Sequence, residues 1–507
     1  MGMNESRTAN SARNLAVSIA YQVLLTILNF VSRTILVYCL GEVFLGLNSV
    51  FYDVLALLSI AELGVGNAII FCLYKPLAEG DTRKVSAIIN LFKKIYHTIG
   101  IVIFGGGLCL IPFLNFFIKL DQPIEHLTLY YVAALLSTCV TYIYSFYQNL
   151  YLADQKFYKI KIYDCCFTIF IYIFQILALI IFRNFFLYLI IRGIIWLVRD
   201  RFIATRAFKH YPHLKQKEVI LPEEKKEIFF SIKSMFLYKI GDVILKNTDY
   251  LLISTLIGTV IVGYYSNYNM IINSITAFTT ALFSSLLASI GNLSVDSSAK
   301  KQYQVFKIIN FLSFWIFAFC TISLFCLFND FITLWFNANF VLHTAMPIVC
   351  INFYLLGMLQ PIWNFRDATG LFNATKYVSL YASILNLIFS IGLGLVIGLP
   401  GILLGTTLSR LLTNFWYEPL KLYTAHFKEK VSSYFKTQAF YGILLLAIGA
   451  LTYFSTKNIN AATLSGFLIK CVCVAVIPNL VLLLLFFKSE AFQYLWHLAL
   501  GFIKRKK

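Results

Sequence analysis

Runs of roughly twenty apolar residues recur along this chain from Leu15 to Phe487, and no other feature limits its fold as strongly. Each run is long enough to cross a bilayer as a helix, and the polar segments between them are short. Of the 507 residues 59% are hydrophobic and only 13% charged, with a mean hydropathy of +0.77. A soluble chain of this length would need far more polar surface. About fourteen spans fit the pattern, which predicts an all-α polytopic membrane protein. The opening MGMNESRTANSARN is polar, and the run after it is long enough to span, so it reads as a first span rather than a cleavable signal.

The basic residues sort by connection. Lys75, Arg83, Lys84, Lys93 and Lys94 fall around one, Lys156, Lys159 and Lys161 around another, and Lys209, Lys215, Lys217, Lys225 and Lys226 around the longest. The tail carries Lys504, Arg505, Lys506 and Lys507, whereas the alternate connections hold only Lys119, Arg183 and Lys457. The positive-inside rule then puts both termini and the basic loops in the cytoplasm. The formal charge of +19 therefore reflects topology and attraction to anionic membrane lipids, and gives no nucleic-acid signal. The eleven cysteines lie almost entirely within apolar runs and the seven histidines are scattered, so neither a metal nor another cofactor is expected.

Two segments match when slid by 217 residues. Asn29–Phe51 then runs along Asn247–Tyr268, with Asn29 itself on Lys246, Gly41 on Gly258, Gly46 on Gly263 and Ser49 on Ser266. Six spans separate the copies, so both enter from the same side. This predicts a parallel repeat with a site between its halves. The expected organisation is an N-lobe of spans 1–6 over residues 1–208 and a cytoplasmic basic linker over 209–228. A C-lobe of spans 7–12 follows over 229–425, with spans 13 and 14 and the basic tail over 426–507.

Polar residues recur at helical spacing inside these spans. Gln22, Thr26, Asn29 and Arg33 form one stripe, and Asn48, Tyr52, Ser59 and Glu62 another. Lys239, Asp242, Lys246 and Asp249 stripe span 7, followed by Tyr265, Asn269 and Asn273 on span 8. Charges at mid-bilayer are too unfavourable to face lipid, so the stripes should line a wet cavity or pair with each other. An internal ladder of Lys239, Asp242 and Lys246 is the alternative for span 7. Arg33 and Arg410 have no acid one turn away, while Arg192 and Lys470 read as snorkelling or packing residues. Glu62 either titrates as a coupling carboxylate or neutralises a cation across the cavity.

The stretch LGEVFLGLNSVFYDVLALLSIAELGVGNAIIFCLYKPLAEGD, residues 40 to 81, resembles the second-span signature of the polysaccharide transport family. These are Wzx-type flippases of the multidrug/oligosaccharidyl-lipid/polysaccharide exporter superfamily. NTDYLLISTLIGTVIVGYYSNYNMI and SSLLASIGNL resemble the matching C-lobe signature. The resemblance implies two six-helix lobes around a central cationic cavity, in a bacterial cytoplasmic membrane. It also implies that a polyprenyl-diphosphate-linked oligosaccharide is moved to the outer leaflet, coupled to proton or sodium antiport and working beside polysaccharide assembly enzymes.

The residues suit such a cargo. Arg33, Lys239, Lys246 and Arg410 would hold diphosphate, Asn29, Asn48, Tyr52, Tyr265 and Asn269 would hold sugar, and Glu62, Asp242 and Asp249 would couple ions. The function expected is transport and not catalysis. A drug or cation exporter of the same superfamily stays open, as does a polytopic polymerase or glycosyltransferase. The latter would need a substantial external loop, which the spacing of spans does not provide.

Overall fold

The structure, a computed structural model, describes residues 2–62, 65–120, 124–154, 156–216, 218–296, 298–369, 371, 375 and 377–504. Side chains at 2–16, 284–296, 498–504 and several positions between 227 and 246 lie outside the described set; Lys239, Asp242 and Lys246 are among these last. The described residues are nearly all helical and contain no strand. This is the all-α polytopic class expected from the apolar runs.

Eight described helices are each long and apolar enough to cross a membrane, and a bent pair, Leu127–Tyr142 with Phe146–Ala153, makes up to nine. Other expected spans are interrupted or too charged. Span 2 is α2 (Glu42–Leu58), a 3₁₀ turn (Ser59–Glu62) and α3 (Val65–Glu79). The helix yields where Ser59 Oγ bonds back to Leu55 O at 2.9 Å and also takes the Tyr142 hydroxyl at 3.1 Å. The helix Phe185–His210 carries Arg192, Arg199, Asp200 and Arg201 within one span length.

The chain separates into two compact units, Met1–Met270 and Ile271–Lys507. The first begins with α1 (Gly2–Leu40), which stops at Gly41; its φ of 93° lets the chain turn directly into α2. Next come α4 (Thr82–Cys109), α5 (Leu114–Phe117), α6 (Leu127–Cys139), α7 (Phe146–Ala153), α8 (Phe157–Phe182) and α9 (Phe185–His210). Two capping carboxamide or carboxylate oxygens set the entries. Asp81 Oδ1 accepts from Lys84 N at 2.8 Å at the start of α4, and Asn184 Oδ1 accepts from Leu187 N at 3.0 Å at the start of α9. Then follow α10 (Pro222–Asn247), α11 (Asp249–Leu256) and the first part of α12 (Thr259–Asp296).

The glycines matched by the repeat meet in this unit. A Cβ on Gly46 would lie 2.0 Å from Thr259 O, and one on Gly263 would lie 3.0 Å from Glu42 O and 3.1 Å from Gly46 N. Shifted by 217, Glu42 is Thr259 and Gly46 is Gly263, so the contact is reciprocal: 42 meets 263, and 46 meets 259. Such reciprocity is what a two-fold relation between repeat copies produces where they touch. Only glycine permits this approach of α2 to α12.

The second unit is organised on α13 (Ala299–Trp335), against which α14 (Met346–Ala368), α18 (Val431–Thr456) and α19 (Leu464–Phe486) pack. Phe314 stacks on Tyr441 at 4.0 Å, and Trp315 Nε1 donates to Asn479 Oδ1 at 2.9 Å. Lys470 is buried in an ion pair with Asp330 at 2.7 Å, a packing role consistent with its sequence context. Between them lie the hairpin of α15 (Val378–Ile397) with α16 (Leu399–Leu412), and α17 (Asn414–Lys421). Arg366 of α14 is stapled to Glu418 of α17 at 2.7 Å, with both side chains buried.

Candidate functional site

Within the first unit two adjoining cavities, of about 500 Å³ and about 350 Å³, share Tyr21, Asn48, Tyr52, Arg192 and Trp196 in their walls. The helices α1, α2, α8 and α9 build the smaller one, and α6 and α7 join the wall of the larger. The stripes explain the lining. Asn29 and Arg33 on α1, and Asn48 and Tyr52 on α2, turn one polar face to the cavities, with Phe51 beside them in the wall of the larger one.

Arg33 donates to Ser266 Oγ at 2.8 Å and to Asn267 Oδ1 at 3.0 Å, both neutral acceptors on α12. Arg192 of α9 lies over the Tyr52 ring, 4.4 Å from its centroid, and donates to the Tyr52 hydroxyl. Neither guanidinium has a carboxylate within 4.0 Å among the described residues. Asn29 accepts from the Tyr172 hydroxyl.

The third arginine of the lining behaves otherwise. Arg199 is 3% exposed and bridges Asp164 and Asp200, the latter at 2.5 Å, while its Nη2 also donates to Gln148 Oε1 at 3.2 Å. Lys161 lies 3.6 Å from Asp164. Two carboxylates thus balance two cations in this cluster. The net positive charge of the cavity walls comes from Arg33 and Arg192. Half-buried guanidinia held only by neutral groups favour an anion with planar, multidentate acceptors.

The remaining expected site residues are distributed as follows. Tyr265 is buried edge-on against Tyr250 at 5.6 Å, and Asn269 hydrogen-bonds the Tyr250 hydroxyl, so both stand next to the Ser266–Asn267 pair that holds Arg33. Asp249 opens α11 and faces the carboxylate of Asp53, which takes a hydrogen bond from the Tyr250 backbone. Arg410 belongs to the second unit, where Nη1 lies 3.5 Å from Asn352 O. Lys239, Lys246 and Asp242, also expected at the site, lie outside the described side chains.

Glu62 lines neither cavity. Because the helix gives way to a 3₁₀ turn at Ser59, the stripe of Asn48 and Tyr52 does not continue to it. Its carboxylate faces the hydroxyls of Tyr96 and Tyr142, and Asn149 Nδ2 supports Tyr96 at 3.2 Å.

Arg192, Trp196 and the Arg199 cluster were not among the site residues expected from sequence. Tyr188, Arg192, Trp196 and Arg199 recur at spacings of four, four and three, so the signal was a stripe like the others.

No family model matches the chain, and no curated protein matches it. Solved structures do. An inward-facing multidrug resistance MATE family transporter of the MOP superfamily superposes with a TM-score of 0.62 at 12% identity, covering 81% of this chain and 98% of that one. The lipid II flippase MurJ, in an inward closed conformation, gives 0.60 at 15% identity, covering 92% of this chain and 99% of MurJ. The MATE multidrug transporter DinF-BH gives 0.58 at 14% identity, covering 83% and 94%. The fold is therefore the two-lobed transporter fold of MATE proteins and MurJ. The chain is a multi-pass membrane protein of this fold.

Proposed function

We propose that the protein is a flippase that carries a polyprenyl-diphosphate-linked oligosaccharide from the inner to the outer leaflet of a bacterial cytoplasmic membrane, for cell-surface polysaccharide synthesis. The observation that carries this reading is the pair Arg33 and Arg192, two half-buried guanidinia lining one cavity with no carboxylate partner among the described residues. A diphosphate supplies the missing negative charge and accepts from both forks. Likeness to MurJ over 92% of the chain is in keeping with a lipid-linked cargo. Likeness to multidrug transporters keeps an organic-cation exporter as the competing reading, but a cationic cargo would meet the two guanidinia as like charges.

Transport on this reading is alternating access driven by a proton or sodium gradient, with Glu62 and Asp249 as the coupling carboxylates. Both termini and the basic loops are cytoplasmic. The test is binding by the purified protein. Undecaprenyl diphosphate should bind, and Arg33→Ala and Arg192→Ala should each weaken it about 10- to 100-fold, since a charge-assisted hydrogen bond contributes about 1.5–3 kcal/mol. Binding of a cationic rhodamine dye that is indifferent to both substitutions, with no binding of the diphosphate lipid, would transfer the assignment to the exporter class.

A further inference from the structure

The second unit carries its own cavity, of about 460 Å³, at a break in the helix between Leu399 and Lys421. There α16 ends at Leu412, Thr413 leaves helical geometry with φ −128° and ψ −87°, and α17 starts again at Asn414. Thr413 Oγ1 donates to Ser409 O and Trp416 Nε1 to Leu412 O, each at 2.5 Å, so the indole is held at the break. The first turns of α15 supply the facing wall, with Ile384 and Leu385 beside Tyr381.

The faces of α15 show what meets this opening. Tyr381, Ile384, Ile388, Ile391 and Leu395 are exposed and recur at spacings of three, four, three and four, so they form one stripe along most of the helix. Its polar residues Ser383, Asn386 and Ser390 are buried, and Asn386 Nδ2 donates to Thr406 Oγ1 of α16 at 2.8 Å. A span that hides its amide and hydroxyls and presents an apolar stripe has lipid as its solvent. The cavity lies at one end of that stripe. Four aromatic residues, Tyr377, Tyr381, Trp416 and Tyr417, gather in its wall, as Tyr and Trp do at the level of lipid headgroups.

Charge completes the site. Lys421 ends α17 with its Nζ 5.3 Å from the centroid of the Tyr417 ring. No carboxylate lies within 4.0 Å of that ammonium among the described residues. In the sequence just beyond it, Lys428, Lys430 and Lys436 outnumber the single acid Glu429.

We infer that this cavity binds an anionic glycerophospholipid of the surrounding membrane, with one acyl chain between α15 and the α16–α17 break and the phosphate at Lys421. The volume suits a ligand of the size of one acyl chain, and an undecaprenyl tail is far longer than the space. A zwitterionic lipid offers the same chain, but its own ammonium already balances the phosphate, so net charge favours the anionic lipid at a basic site. The site makes no use of the cargo bound in the first unit. Only its leaflet, the cytoplasmic one, rests on the topology proposed above.

The experiment is native mass spectrometry of the purified full-length protein with dioleoyl phosphatidylglycerol and dioleoyl phosphatidylcholine added in equal amounts. Wild type should retain phosphatidylglycerol about fivefold over phosphatidylcholine, the ratio one lysine near a membrane surface supplies. Lys421→Gln should bring that ratio close to one. Leu385→Trp, which fills the cavity from α15, should remove the retained phosphatidylglycerol at an unchanged melting temperature. Should Leu385→Trp not fold, Trp416→Ala carries the test, with a partial loss of the same adduct. Undecaprenyl phosphate, added as a third probe, should leave that adduct in place. Equal retention of the two phospholipids by wild type would overturn the site. A preference that survives in both Lys421→Gln and the cavity variant would put the lipid elsewhere on the protein and overturn it too. Displacement of phosphatidylglycerol by an equal amount of undecaprenyl phosphate would give the cavity to a polyprenyl chain instead.

Discussion

Arg192 shows what a single side chain adds to the sequence pattern. An arginine inside an apolar run reads most simply as a snorkelling residue, and its neighbours Trp196 and Arg199 fix its true direction only once α9 is packed against α2. Arg33, Asn29, Asn48 and Tyr52 were legible, because their spacing puts them on two helical stripes whatever the tertiary fold. The stacking of Arg192 on Tyr52 makes a sharp prediction. Arg192→Lys should recover less than half of the binding free energy lost in Arg192→Ala, because an ammonium keeps the charge and loses both the planar stacking and the fork. Arg410→Ala, on the second unit, should weaken binding of the diphosphate lipid less than either substitution in the first unit. Isothermal titration or thermal-shift titration of the three variants decides both.

Glu62 belongs to the same scale. The sequence showed a carboxylate in an apolar stretch with no basic residue within a turn; the structure supplies two phenols, from Tyr96 and Tyr142. Phenol hydroxyls can donate to a carboxylate without adding a charge of their own. If it couples, Glu62→Gln should abolish the dependence of transport on the proton or sodium gradient while sparing cargo binding. Transport by Glu62→Gln that still follows the gradient as wild type does would exclude that role.

Among the elements, the sequence repeat rests on matched glycines, and two of these are in close contact in the structure. Gly46 and Gly263 are matched in sequence and also meet, so the same requirement for a missing Cβ acts on both copies. The break in span 2 was less readable. Glycines near residue 64 permit an interruption, but its start at Ser59 depends on the tertiary bond from Tyr142, which no local pattern announces. The α2–α12 contact has a testable consequence. Tyr264 hydrogen-bonds Glu42 across it, so cysteines at those two positions, in a background without the native thiols, should crosslink. If α2 and α12 must part during transport, the oxidised Glu42→Cys/Tyr264→Cys protein should bind cargo and fail to move it, with recovery on reduction. Full transport by the crosslinked protein would show that this contact stays closed throughout the cycle. Gly46→Leu should lower folded yield outright, since the added side chain would start 2.0 Å from Thr259 O.

For the whole molecule, apolar runs and the sorting of lysines and arginines defined a polytopic helical protein, and the MATE and MurJ likeness agrees with that class. Chemistry of the cargo is a separate question, because a fold shared by drug exporters and a lipid flippase does not choose between them. The sign of the cavity is what our proposal rests on: two guanidinia without carboxylate partners among the described residues favour an anion. The direct measurement uses proteoliposomes loaded with undecaprenyl-diphosphate-N-acetylglucosamine in one leaflet, followed by its appearance in the other, with transport of a cationic rhodamine dye read in the same vesicles. Our account predicts transfer of the glycolipid by wild type, its loss in Arg33→Ala and Arg192→Ala at unchanged protein incorporation, and no dye transport. Dye transport by wild type, with the glycolipid staying where it was loaded, would contradict it.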